Sequence, residues 1–305
     1  MSNIFILLGP TASGKSSLSQ KLADEYSFEI INADLYSIYK GLDIGTAKPS
    51  KKALIKNKHH LINKLEPNEE YNVSKYCHDV NRCIDEITAL NKIPLITGGS
   101  MMYVYQLLNG LSHHYSTCDT DQKIIKYILN EYTNKQIIDA IRNYDNTLIN
   151  TLNINDTYRI EKLLERLISS DSSSSNVDGL YKNTTFKISI IFINIKNRDI
   201  LRKNIHQRTL DMIDDGLIYE VKNLRDSFKL THNHQSMRAI GYKQTLQYLN
   251  HEINLKELTS AITISTQQLA KRQITWMNKF KIDYHYTYPD DDYKKLSDYI
   301  RNLLN

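Results

Sequence analysis

The chain has 305 residues, 41% of them hydrophobic and 24% charged, enough to bury a sizeable core and too apolar for a disordered or fibrous protein. Its 39 Lys and Arg against 34 Asp and Glu leave a net charge of +5, a mild lean toward acidic partners that does not by itself specify nucleic acid. No apolar run approaches the ~20 residues needed to cross a bilayer, no signal peptide precedes the first strand, and Cys77, Cys83 and Cys118 match no zinc spacing, so a soluble cytoplasmic protein with reduced thiols is expected.

The first element predicted is a buried strand over residues 3–8, reading N-I-F-I-L-L. Gly9, Pro10, Thr11, Ala12, Ser13, Gly14, Lys15 and Ser16 follow, fitting G-x-x-x-x-G-K-[ST] at every fixed position. Leu18, Leu22, Ala23 and Tyr26 then recur at helical spacing. A strand feeding a glycine loop that opens a helix points successive N–H groups at a phosphate; Lys15 adds a charge and the Ser16 hydroxyl a ligand for Mg²⁺. This signal is specific, and a nucleoside triphosphate (ATP) is its default ligand. The fold class expected is α/β: a P-loop NTPase-like core with a parallel sheet flanked by helices, plus an all-helical insertion.

Residues 28–33 read as a second buried strand ending at Asp34, and ligands of open α/β sheets collect beyond such strand ends. An Asp there is ordinarily a turn or cap residue; the neighbouring phosphate loop favours a base or a metal-associated carboxylate. His59 and His60 would point to opposite faces of a strand and have no third ligand at motif spacing; His113 and His114 read as loop polar residues. Residues 72–91 form an amphipathic, core-facing helix. Residues 118–185 carry Ile and Leu at helical spacing and end on a serine run at 169–175, so three parts are expected: residues 1–117 as the first part of the core, 118–185 as the insertion, and 186–305 as the rest of the core with C-terminal helices. Ile188–Ile195 is read as the strand completing the sheet.

The stretch Y-K-G-L-D-I-G-T-A-K-P at 39–49, behind Asp34 and the phosphate loop, closely resembles the bacterial tRNA dimethylallyltransferases, or tRNA isopentenyltransferases. Similar too are H-H-L-I at 59–62, the segment from Glu66-Pro67 to Tyr71, P-L-I-T-G-G-S at 94–100, S-M-R-A-I-G-Y at 236–242 and A-K-R-Q-I-T-W at 270–276, in the family's order over nearly the whole chain. The resemblance implies transfer of a dimethylallyl group from dimethylallyl diphosphate to N6 of the adenine immediately 3′ of a tRNA anticodon, by a monomer using Mg²⁺. The diphosphate would be the leaving group, met by the loop, Lys15, Mg²⁺ at Ser16, and Arg238. Asp34 would take the N6 proton and Ser100, where the family usually has Thr, would orient Asp34 or the adenine.

The same resemblance implies that the insertion grips the anticodon stem-loop. It assigns RNA contacts to Asp34, Leu35, Tyr36 and Ser37; to Lys123, Tyr158, Arg159, Ile160, Glu161 and Lys162; to Arg238, Ala239, Ile240, Gly241, Tyr242 and Lys243; and to Lys271, Arg272, Gln273, Ile274, Thr275, Trp276, Met277 and Asn278. Two places depart from the family pattern. Leu35-Tyr36-Ser37 replaces a segment that usually begins with Ser and often ends with Gln, which predicts looser readout around the target base. In N-D-T-Y-R-I-E-K at 155–162, Pro, Gln and the second Arg have become Thr157, Tyr158 and Lys162, keeping charge but losing the guanidinium fork. For each basic residue taken alone, a solvated helix face is the plain alternative. Two other classes compete: a P-loop kinase, with the insertion as its lid, and a non-catalytic RNA-binding module, which would not need an intact phosphate loop.

Overall fold

The computed structural model describes residues 2–114, 118–149, 152–169, 175–288 and 291–304. The opening apolar run is strand β1 (Ser2–Leu8), with Ile4 to Leu8 fully buried, as a strand covered on both faces must be. Helix α1 (Lys15–Glu25) and strand β2 (Phe28–Asn32) follow. A 3-10 turn (Leu35–Ile38), α2 (Lys51–Lys56) and the short strand β3 (His59–His60) lead into α3 (Val73–Ala89), β4 (Ile93–Gly98) and α4 (Met101–Asn109). Next come β5 (Gly110–His114), α5 (Asp119–Glu131), α6 (Asn134–Tyr144), α7 (Thr157–Ile168) and β6 (Ser175–Asp178). The rest is β7 (Phe186–Ile195), α8 (Arg198–Asp214), α9 (Leu217–Phe228), α10 (Tyr242–Leu249), α11 (Leu255–Met277), β8 (Tyr284–Tyr288) and α12 (Tyr293–Leu304).

Six strands form one sheet in the order β3-β2-β4-β1-β7-β8, every described pairing parallel. Its register positions the site. Leu8 lies opposite Gly98 and Asn32 opposite Thr97, so the loops that begin at Gly9, Ala33 and Gly99 leave the same edge. Gly98 makes this close approach possible, since a Cβ there would sit 2.1 Å from the carbonyl carbon of Ala33. One sheet face is sealed by α1 and α12, through Phe5, Leu7, Leu22, Phe28, Leu296 and Ile300.

Two features differ from the sequence reading. The sheet does not end at β7: β8 adds an edge strand that the pattern Y-H-Y-T-Y, only half-buried, does not announce. The second compact unit is Gly110–Asp178, starting and ending earlier than 118–185, and it is not purely helical. An antiparallel pair, β5 with β6, places Leu111 opposite Val177. The core of this unit is Ile125, Ile137, Ile138, Ile141, Ile160 and Leu163 among their neighbours. Residues 170–174 of the expected serine run lie outside the described residues.

Candidate active site

Gly14 caps α1 with a left-handed backbone (φ +84°), a conformation that costs glycine little and turns the loop's N–H groups inward. The Lys15 ammonium donates to the carbonyls of Gly9 (2.8 Å) and Pro10 (2.7 Å). Burial lowers its pKa to about 7, with Asp34 acting in the opposite direction and Arg208 adding to the fall. The Ser13 hydroxyl is buried in the loop without a hydrogen-bond partner, a polar atom left for a ligand to satisfy. Ser16 is exposed at the mouth of the loop.

Asp34 caps the 3-10 turn, its carboxylate accepting from the Tyr36 N–H at 3.3 Å. Asn32 pins its backbone from both sides, accepting from the Asp34 N–H (3.0 Å) and donating to its carbonyl (2.8 Å). Ser100 completes the support. Its N–H donates to the Ala33 carbonyl and its hydroxyl accepts from the Leu35 N–H, each at 2.9 Å. Burial raises the Asp34 pKa above the ordinary aspartate value, against the opposing pull of the Tyr36 N–H, Lys15 and Arg208. A half-buried carboxylate of raised basicity beside two cations suits proton acceptance.

These groups share one cavity of about 720 Å³, lined by the phosphate loop, Asp34, Ser37, Gly99, Arg208 and Gln273, among others. The loop of residues 43–49 forms its far wall. Glu220 of α9 accepts from the N–H groups of Asp43 (3.1 Å) and Ile44 (2.8 Å), and the Tyr242 hydroxyl donates to the same carboxylate. Lys48, almost fully buried, bonds Asp43 (2.8 Å) and Asn63 (2.5 Å). A Cβ on Gly45 would lie 2.4 Å from the Tyr242 ring, so the D-I-G-T and I-G-Y motifs belong together because they pack against each other. His59 and His60 are held by protein groups, His59 by Asn57 and Gln20 and His60 by Glu29.

The residues assigned from the sequence fall in different places, on the cavity, in the core or at the surface. The arginine lining the cavity is Arg208, which the sequence reading passed over among the cations of α8. Arg238 is exposed, donates to the Asn233 carbonyl (2.9 Å) and does not line the cavity; its charge reaches Tyr36 instead. Ile160, Ala239 and Tyr242 are buried, so their side chains build the fold and cannot touch RNA as the structure stands. Gln273 is buried too, facing the phosphate loop. Lys123, Arg159, Lys162, Lys243, Lys271, Arg272, Thr275 and Asn278 are exposed; Arg159 pairs with Asp156 (3.2 Å) and Lys162 with Glu165 (2.6 Å). Ile274 packs against the core. Trp276 is half-buried against Tyr105, with the Lys279 ammonium 4.2 Å from its ring centre. The side chain of Tyr158 lies outside what the structure describes.

A strand feeding a phosphate loop, with a half-buried carboxylate on the same cavity, defines an α/β protein with a phosphate-loop site. Residues 37–280 match the model of the IPP transferase family and residues 2–66 that of the isopentenyl transferases. The tRNA dimethylallyltransferase of Wigglesworthia glossinidia brevipalpis is 36% identical over 302 residues, covering 99% of this chain and 93% of its own. That of Vesicomyosocius okutanii is 36% identical over 280 residues, with 91% of each covered. The solved tRNA isopentenylpyrophosphate transferase of Bacillus halodurans superposes with a TM-score of 0.70 at 26% identity, covering 100% of this chain and 96% of its own. The chain belongs to the IPP transferase family, and its core has that family's P-loop NTPase-like fold.

The state of Lys15 gives a first test. Inorganic diphosphate should bind more weakly as pH rises above about 7, where the free site loses the ammonium charge and binding must take up a proton, up to about tenfold per pH unit. Titration calorimetry in two buffers of different ionisation heat reads that uptake. The pH-dependent difference between wild type and Lys15→Met isolates the lysine from the ionisation of diphosphate itself.

Proposed function

We propose that this chain transfers the dimethylallyl group of dimethylallyl diphosphate to N6 of the adenine immediately 3′ of a tRNA anticodon. The observation carrying this reading is one cavity in which a phosphate loop, Lys15 and Arg208 face the half-buried carboxylate of Asp34, whose pKa is raised. Its volume falls in the range of small-molecule sites and suits a diphosphate together with a base extruded from its stack.

In the step itself, the C1–O bond of the donor breaks and the N6–C1 bond forms. The electron pair leaves with the diphosphate, and the N6 proton passes to Asp34. The amine of adenine is a weak nucleophile because its lone pair is delocalised into the ring, so a carboxylate positioned to take the proton contributes about 10²–10⁴ in rate. Charge growing on the departing diphosphate is met by the loop N–H groups, Lys15 and Arg208 in a desolvated site. Mg²⁺ would neutralise diphosphate oxygens, held by the Ser16 hydroxyl and those same oxygens. The residues fit such a substrate-carried ion, since Ser16 is accessible at the loop mouth and Asp34 opens on the same cavity.

Lys271 and Arg272 project from α11 on its exposed side and are assigned to RNA phosphate. Replacing either with Ala should weaken tRNA binding and lower the slope of log K against log salt by about 1, leaving diphosphate affinity unchanged. An unaltered slope would make them a solvated face. Leu35, in the turn beside Asp34, has an apolar side chain that can offer a base edge no hydrogen bond, and its N–H is spent on Ser100. This supports relaxed readout next to the target base. To separate prenyl transfer from a kinase reading, purified protein is incubated with unmodified tRNA and either labelled dimethylallyl diphosphate or labelled ATP. Label transferred to tRNA from the former alone is expected; steady ATP turnover without prenyl transfer would overturn the reading.

A further inference from the structure

We infer that Gln273 is a positioning residue that ties the leaving-group half of the site to its proton-accepting half, rather than a contact to RNA. The inference rests on the function proposed above. Gln273 is 4% exposed, and both ends of its amide are engaged. Its oxygen accepts from the Thr11 N–H in the phosphate loop at 2.7 Å, and its nitrogen donates to the Gly99 carbonyl at 2.9 Å. The amide lies flush on that turn, since a Cβ on Gly99 would come within 2.4 Å of its nitrogen.

The next residue along is Ser100, whose N–H and hydroxyl bond the backbone on either side of Asp34, at Ala33 and Leu35. A short chain of hydrogen bonds therefore runs from the phosphate loop through Gln273 to the residues flanking the base. The helix is fixed in rotation while it does this. Ala270 and Ile274 pack against Ile195, Leu201 and Ile205, and the preceding residues Lys271 and Arg272 face solvent. Gln273 thus lies on the inward stripe of α11 with Leu258, Ile262 and Ala270. An amide is the group this place needs, because one end must accept and the other donate. A carboxylate would set two acceptors against each other, and an alkyl chain would take from the Thr11 N–H and the Gly99 carbonyl the partner they have here.

The test compares Gln273→Leu and Gln273→Glu with wild type for single-turnover prenyl transfer, RNA affinity and its salt slope, and each is also combined with Asp34→Asn. Transfer by wild type is the control that establishes the reaction; its absence would sink the proposed function. With that control met, both single variants should lose about 10- to 100-fold in transfer rate, the scale of a small misplacement of reacting groups. RNA affinity and salt slope should stay at the wild-type value. In the Asp34→Asn background the further loss should be much smaller, because the tie acts through the placement of Asp34. A reduced salt slope would make Gln273 an RNA contact, an unchanged rate would make the tie inert, and fully additive losses would show that it does not act through Asp34; each overturns the inference. Should the Gln273 variants fail to fold, Gly99→Ala displaces the amide without removing it. The same rate loss at constant RNA affinity is expected there, and wild-type transfer by that variant would also overturn the inference.

Discussion

Asp34→Asn is expected to lower kcat by about 10² or more while tRNA affinity stays within a few-fold. The substitution keeps the shape of the side chain, and Asn32 and Ser100 still hold the backbone on both sides, so geometry survives and only proton acceptance is lost. Diphosphate affinity should be retained or slightly improved, because a negative charge beside Lys15 and Arg208 is removed. The wild-type rate should also fall on acidification from a pH above that of an ordinary aspartate, since burial raises the Asp34 pKa and protonation disables the base. Single-turnover transfer with saturating substrates, followed across pH, measures both effects. A wild-type rate in Asp34→Asn would remove this carboxylate from the chemistry.

The two arginines give the second large effect by contrast. Arg208→Gln should cost about 10²–10³ in single-turnover rate, the usual scale for losing one preorganised charge at a site of developing negative charge. Arg208→Lys should restore only part of it, since an ammonium on a flexible stem does not reproduce the planar fork. Arg238→Gln should change the dependence on RNA concentration and leave the rate at saturation near wild type. Its guanidinium is exposed and directed to the Asn233 carbonyl. Equal losses at both positions would return Arg238 to the diphosphate and refute the assignment made from the cavity.

Why one arginine was legible and the other was not follows from the kind of signal each carries. The phosphate loop is a local motif, and its strand, glycines and helix are written in consecutive residues; Asp34 closely follows a predicted strand, whereas Ser100 was singled out only by the resemblance of its motif. Arg238 stands inside a recognisable block. Arg208 is one cation among several on α8, a helix without a clear apolar face, and only the packing of α8 brings it to the wall of the cavity.

Blocks misled in a second way. Residues 238–243 and 271–278, within and just beyond the blocks S-M-R-A-I-G-Y and A-K-R-Q-I-T-W, were read throughout as RNA contacts, although Tyr242 and Gln273 point inward. Periodicity carried the missing information for α11: Leu258, Ile262, Ala270 and Gln273 recur at helical spacing, which marks the glutamine as a core-side residue. Strand β8 and the pair β5–β6 were missed because short strands with half-buried or polar residues lack a strong alternating pattern.

The central claim is tested most directly by incubating the protein with labelled dimethylallyl diphosphate and Mg²⁺ and two anticodon stem-loops. They differ only in the base immediately 3′ of the anticodon, adenine in one and guanine in the other. Prenyl label should join the adenine-bearing RNA, recovered after digestion as N6-(dimethylallyl)adenosine with one diphosphate released per transfer, and none should join the other. Label found equally in both RNAs, or diphosphate released with no prenyl on either, would contradict it.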